Sequence, residues 1–209
     1  SDAVLTSTVY ARLPIFIAEE TSQSPWNVTF AELIHMSNHS HHFAPHEDLA
    51  EAEFSAKSNE CSRDGTNWLP LYEAKMLHFY NHRFGTYAGQ TDAQSNQGKL
   101  PELTSVDLRR PSLFPQPQYW LKSITVSDLI HERWPYRWLI GFRKIARNTD
   151  ERTFICGILP YCGLANSGIV LFPSGSDGPS CAALTANLSA FVFDYVVRQK
   201  LGGTNMNMF

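Results

Sequence analysis

The sequence predicts an α+β fold, and three observations carry that prediction. Residues 137–173 contain three apolar segments, RWLIGFRKIA, RTFICGILP and SGIVLFP, which read as successive strands. Residues 178–203, GPSCAALTANLSAFVFDYVVRQKLGG, read as one long C-terminal helix. Leu184, Leu188, Phe191, Val192 and Tyr195 form its apolar stripe, and Gly202-Gly203 forms its stop. Shorter helical segments are inserted earlier in the chain. Strands followed by a helix, without regular βαβ alternation, give a small mixed or antiparallel sheet covered by helices.

The remaining elements follow in chain order. ARLPIFIAEE (11–20) alternates weakly and reads as a strand, and residues 21–28 form a polar turn. Thr29 caps a short predicted helix, FAELIHM, with Glu32 at the capping-box position. Residues 37–65 are polar apart from a helical stretch, PHEDLAEAEF. LPLYEAKMLHFYNHRF begins extended and becomes helical, with Leu71, Lys75, His78, Phe79 and His82 at helical spacing. Residues 85–117 lack a sustained period and form the longest predicted loop. QYWLKSI reads as a strand and VSDLIHER as a short helix.

Composition bounds the function classes. The chain has 209 residues, 43% apolar and 18% charged, which fits one globular domain spanning 1–209 and excludes a low-complexity tail. No run of 18 apolar residues occurs, and SDAVLTSTVY has no basic segment leading into an apolar one. The expectation is therefore a cytoplasmic chain with no membrane partner. Cys61, Cys156, Cys162 and Cys181 lack zinc-site spacing and read as reduced, buried thiols. Charge is uneven. Residues 1–60 carry Arg12 and Lys57 against nine acidic residues, a net of −7, and residues 61–209 carry fifteen basic and eleven acidic, a net of +4. The densest basic stretch is 131–152, where Arg133, Arg137, Arg143, Lys144, Arg147 and Arg152 are interleaved with two tryptophans and a tyrosine. That composition suits phosphate and base contacts, and equally a strand pair with a solvated arginine face.

Catalytic signatures are missing. No P-loop, dinucleotide-binding glycine motif, nucleophile elbow or N-P-P-Y tetrapeptide occurs. His35, His39, His41, His42 and His46 lie within twelve residues, but no H-E-x-x-H arrangement accompanies them, so no metal site and no catalytic residue is assigned. A binding module fits these residues better than a complete enzyme.

Several segments, read in order, resemble one family. PWNVTFAELIHMSNHSHHF resembles P-W-G-V-x-F followed by F-H-M-x-x-D-S-x-x-F. LPLYEAKMLHFYNHRFGTY resembles L-Y-E-G/A-K-M-I-H-x-F-D-H-R-x-A-T-Y, and PQYWL is similar to P-R-Y-W-V. WLIGFRKIARNTDERTFICGILP resembles W-x-x-x-F-R-D-I-x-R-x-T-x-E-R-T-x-I-x-x-x-L-P. NLSAFVFDYVVRQKLGGTNMNMF resembles N-L-x-S-F-x-x-D-Y-x-x-R-Q-K-x-G-G-T-x-x-x-x-F. These are motifs of the C-terminal target-recognition region of large bacterial adenine-specific DNA methyltransferases, including type IIG restriction–methylation enzymes and phage-defence methylases. The resemblance covers residues 8–209. The chain departs from it at His39, Asn81 and Lys144, where the family usually has Asp, and at Pro115-Gln116-Pro117-Gln118, where it has a basic residue.

The resemblance implies a target-recognition fold and double-stranded DNA as partner. It also implies a longer parent, in which a separate N-terminal domain binds S-adenosylmethionine and methylates adenine. The present chain is then catalytically inert alone and holds no cofactor. Lys75, His78, His82 and Arg83, on one predicted helix, and Arg143, Arg147 and Arg152, around the RNTDE hairpin, are the expected DNA-binding residues. The alternatives are structural: neutralisation of the first group by Glu73 and Asp107, and pairing of Arg147 and Arg152 with Asp150 and Glu151. Arg198 and Lys200 suit a helix C-terminus. Loops 85–100 and 110–118 are the expected sites of base readout. Two rival functions remain. One is a protein-interaction module whose acidic segment 1–65 docks on the catalytic domain, favoured by an exposed apolar patch in residues 1–60. The other is a metal-dependent hydrolase built on His35–His46.

Overall fold

A computed structural model describes residues 2–18, 21, 23–55, 59–130 and 132–206. Among these, the chain order is α1 (Asp2–Arg12), β1 (Val28–Ala31), β2 (Phe43–Pro45), β3 (Glu53–Ser55), β4 (Glu60–Arg63), β5 (Thr66–Tyr72), α2 (Asp92–Asn96), α3 (Ser105–Leu108), β6 (Tyr119–Lys122), α4 (Ser123–Ile130), β7 (Trp138–Arg143), β8 (Cys156–Pro160), β9 (Gly163–Leu164), β10 (Gly168–Pro173), α5 (Gly178–Leu188) and α6 (Phe191–Lys200). The fold is α+β, as expected, but the strands form two sheets rather than one small one.

The first sheet runs β1-β10-β7-β8, all antiparallel. Every residue of β10 is buried, and so is the centre of β7, which explains their unbroken apolar runs. The second sheet runs β2-β6-β5-β4-β3, antiparallel, and β9 joins the end of β5 in parallel at Leu71–Gly163 and Tyr72–Leu164. An isolated bridge from Ile34 to Ala165 ties the segment after β1 to the same strip. One core fills the space between the sheets, with Leu71, Tyr72, Met76, Leu139, Ile140, Leu159, Leu164 and Phe172 among its members. Close approach is enforced at Gly163, where a Cβ would lie 2.5 Å from Leu121 Cδ1. A smaller cluster of Leu49, Cys61 and Trp120 sits under β2–β4. All four cysteines are buried and unbridged, as the sequence predicts.

The segments read as strands at 138–143, 156–160, 168–173 and 119–122 are strands, and VSDLIHER falls within α4 and the turn after it, with His131 outside the described residues. Other segments differ. Residues 11–12 end a helix, α1, and 13–18 are irregular; Glu19 and Glu20 lie outside the described residues. The helix expected after Thr29 is β1, because pairing of Thr29 with Phe172 and of Phe30 with Leu171 overrides the local capping signal. PHEDLAEAEF is a 3-10 turn over His46–Leu49 that leads into β3. Residues 85–117 contain two short helices, each with a reciprocal capping box: Thr91 with Gln94, and Thr104 with Asp107.

The long C-terminal helix is two helices bent by 59°. Asp177 caps α5 by accepting from the Ser180 N–H at 2.9 Å. At the other end the Ser189 hydroxyl folds back onto the Thr185 carbonyl at 2.8 Å, and Ala190 is extended. The predicted stripe is split accordingly. Leu184 and Leu188 are buried in the core, whereas Phe191 is 79% and Val192 52% exposed.

Candidate nucleic-acid interface

The basic hairpin forms first from local sequence. β7 and β8 pair from Trp138–Pro160 to Phe142–Cys156, and residues 144–155 connect them. At the mouth, the Arg147 N–H donates to Asp150 Oδ2 at 2.8 Å. Asp194, on α6, fixes the base of the connection. Its Oδ1 accepts from the Thr153 and Phe154 N–H groups, each at 2.8 Å. Arg152 Nε and Arg198 Nη2 each lie 3.4 Å from its carboxylate. Arg198 also donates to the carbonyls of Asn148, Asp150 and Glu151. Its role is therefore to hold the hairpin turn, beyond the helix-end placement the sequence suggests.

The segment 73–84 is not a helix. A 3-10 turn spans Ala74–Met76, and the Met76 carbonyl then accepts from the N–H groups of Phe84 and Gly85. Gly85 is required there, since a Cβ would lie 2.7 Å from the Lys75 carbonyl. His78 and Asn81 exchange two backbone hydrogen bonds, at 2.8 and 3.0 Å, which closes a tight turn with Tyr80 at φ +56°. Lys75, His78, His82 and Arg83 therefore do not share one helix face. The buried run Leu71, Tyr72, Ala74, Met76 and Leu77 explains the difference: these residues feed the core in an extended and then 3-10 conformation.

The structure nevertheless brings the two predicted groups together. Arg143 donates from Nη2 and Nε to the Leu77 carbonyl at 2.6 and 3.1 Å, and its guanidinium lies over the Phe84 ring. Arg152 lies over Phe79. The turn thus rests on the hairpin, and a Cβ at Gly157 would come within 3.2 Å of the His78 carbonyl.

Most of the predicted cations act as struts. Arg83 donates to the carbonyls of Leu108 and Arg110 at 2.8 Å and of Leu113 at 3.1 Å, anchoring the start of the proline loop 110–118 against the turn. Lys75 pairs with Glu73 at 3.4 Å, as the structural alternative expects, and lies over Tyr87. Asp107 instead caps α3 through Thr104. Arg152 pairs with Asp194 and donates to the Ser189 carbonyl at 2.8 Å. Burial lowers the pKa of His78, with Arg143 adding to the effect, and burial and Arg83 lower that of His82. Both imidazoles are therefore neutral near pH 7 rather than cationic. Arg147 alone of the seven is fully surface-exposed. Arg109 and Arg110, exposed on the loop that Arg83 anchors, were not singled out by the sequence reading; the doublet before Pro111 was their available signal.

The histidine loop gathers no ligand set. His39 Nδ1 accepts from the His35 N–H, and His46 Nδ1 accepts from Trp120 Nε1, each at 3.1 Å. Among the described residues no three His, Cys, Asp or Glu side chains come together as a metal site. Burial pushes the Cys61 and Cys156 thiols up to about 11, which keeps them protonated and poor nucleophiles. Beyond the hairpin, α1, the segment 13–17 and α6 line an apolar groove of about 890 Å³, which Phe154 and Val192 also line. Leu13 and Ile15 are exposed along it, and Val4 and Leu5 are exposed on α1.

Two outcomes follow. Asp194→Ala leaves two buried N–H groups and two guanidiniums without their acceptor. It should cost about 3–5 kcal/mol in urea unfolding, and a loss under about 1 kcal/mol would contradict the latch. For His78 and His82 the folded pKa lies below the ordinary 6.5, so the unfolded chain takes up protons first as pH falls. Their contribution is complete above 6.5 and is lost at lower pH. The thermal midpoint should therefore drop between about pH 7.5 and 5.5, and less so in a His78→Gln, His82→Gln variant. An equal drop in both proteins would assign the effect elsewhere.

Comparison with family models, with curated proteins and with solved structures finds no match.

Proposed function

We propose that this chain is the target-recognition region of an adenine-specific DNA methyltransferase. It contacts double-stranded DNA while a separate S-adenosylmethionine-binding domain of the parent protein carries out N6 methylation. In a bacterium that activity belongs to restriction–modification or phage defence and is cytoplasmic. The reading rests on the ordered motif resemblance over residues 8–209. Its single structural support is the convergence of the 75–83 and 143–152 segments, which are far apart in sequence, on one rim. Arg83 adds the proline loop to that rim.

The chemistry of the rim fits positioning rather than tight binding. Guanidiniums spent on internal carbonyls do not reach phosphates. Arg147, Arg109 and Arg110 are the exposed cations left to do so, and phosphate contacts set register without reading sequence. The acidic N-terminal third further weakens nonspecific attraction.

A second reading is favoured by the apolar groove. Leu13 and Ile15, exposed and lining the groove, supply apolar surface of the kind an interaction module within residues 1–60 needs. Docking on the catalytic domain and contact with DNA are compatible, since the groove residues and the exposed cations Arg109, Arg110 and Arg147 are different side chains.

The test is a fluorescence-anisotropy titration with a random-sequence duplex. Three phosphate contacts predict a Kd that rises roughly 40-fold between about 50 and 200 mM salt. Replacing Arg109, Arg110 and Arg147 with alanine should remove most of that dependence. Binding that ignores salt, or no binding at about 50 mM, would reject the DNA reading.

A further inference from the structure

The rim carries a row of π-faced groups whose two ends, Tyr80 and Phe191, stand exposed, while Phe79 packs against the core and Arg152 is held by hydrogen bonds. Tyr80 is 80% and Phe191 79% exposed. Phe79 lies next to Tyr80, with ring centroids 6.4 Å apart. The Arg152 guanidinium fills the gap between Phe79, at 4.4 Å, and Phe191, at 4.6 Å. The row therefore runs Tyr80, Phe79, Arg152, Phe191, drawn from the 78–81 turn, the hairpin and the start of α6.

The row is rigid. Arg152 is pinned by Asp194 and the Ser189 carbonyl. Tyr80 stands on a turn closed by the His78–Asn81 pair, and Asn81 Oδ1 accepts from the Arg83 N–H at 2.9 Å. Its φ of +56° is a left-handed conformation that an aromatic residue adopts only at a cost. An exposed ring returns little of that cost to the fold.

We propose that the exposed rings of Tyr80 and Phe191, backed by Phe79 and Arg152, form a stacking platform for an unpaired nucleobase. This rests on the DNA-reading proposal and goes further by naming the chemical group bound. Flat π systems and a desolvated guanidinium plane are the surfaces on which bases stack, whatever their sequence. The neighbours of the row include His78, Asn81, Arg83 and Arg143 together with Asp194, so its setting is polar and mixed in charge. The groove beside α1 differs in its charge, being lined mainly by apolar side chains, aromatic and aliphatic alike, with Lys200 at its edge.

The experiment uses two fluorescein-labelled 20-base-pair duplexes of the same sequence. One is fully paired; the other has an abasic site opposite a central thymine, which leaves that base without a partner. Wild type should bind the second roughly 10-fold more tightly. Tyr80→Ala and Phe191→Ala should each lose most of that preference while binding the paired duplex within about 2-fold of wild type, and Tyr80→Trp should keep it. Both positions are exposed, so folding is not at stake. Tyr80→Gly should raise the thermal midpoint by about 1–4 °C while losing the preference, separating backbone strain from ring function. Equal affinity of wild type for the two duplexes, or a preference that survives Tyr80→Ala, overturns the platform, leaves the DNA reading standing and marks the row as a protein contact. Absence of binding to either duplex overturns the DNA reading and the platform with it.

Discussion

A carboxylate with only 4% of its surface exposed, Asp194, organises the region on which this account depends. It accepts from two backbone N–H groups of the hairpin and faces two guanidiniums. Removing a charge from water is costly, and the two backbone donors and the adjacent guanidiniums offset that cost. The consequences spread outward. Asp194 faces the β7–β8 connection, and α6 does not continue the line of α5. The chain bends at Ser189-Ala190, and Phe191 is carried to the surface beside Arg152. Arg198, one turn further along, reaches back to three hairpin carbonyls. One buried acid thus ties the hairpin to the helix that carries the exposed ring.

Arginine is suited to this architecture because its planar group carries five donors. Irregular loops leave carbonyls that no ladder satisfies, and Arg83, Arg143 and Arg198 each close such a set. A basic sequence segment is therefore not the same thing as a basic surface. Here the count of cations between 75 and 152 overstates the charge available to a ligand, while neutral His78 and His82 reduce it further.

Much of the sheet framework was legible in the sequence, and the reason is local. β7, β8 and β10 are apolar runs with turn signals between them, and β7 and β10, buried at the centre of their sheet, need no partner to be recognised as strands. The 71–82 segment was misread because Leu71, Lys75, Phe79 and His82 fall at helical spacing by coincidence. The residues that enter the core there are Leu71, Tyr72, Ala74, Met76 and Leu77, which no single helix face presents. The C-terminal pair of helices was read as one because Asp194 looks like a solvent-facing residue until its partners, some forty positions earlier, are known. For the same reason the hairpin was recognisable, but its contact with Leu77 and Phe79 was not. The positive φ of Tyr80 leaves no mark in the sequence, since glycine or asparagine is what such a conformation ordinarily selects.

The molecule consequently offers two unlike surfaces that adjoin at the start of α6: a polar rim with stacked rings, and an apolar groove beside α1. Assigning DNA to the first is the central claim. Amide hydrogen exchange, recorded with and without an excess of random-sequence duplex at low salt, tests it directly by reporting where the duplex sits. The account predicts added protection in residues 78–83, 108–113 and 144–152, with α1 and the groove unchanged. Protection confined to the groove, or none at saturating duplex, would contradict it.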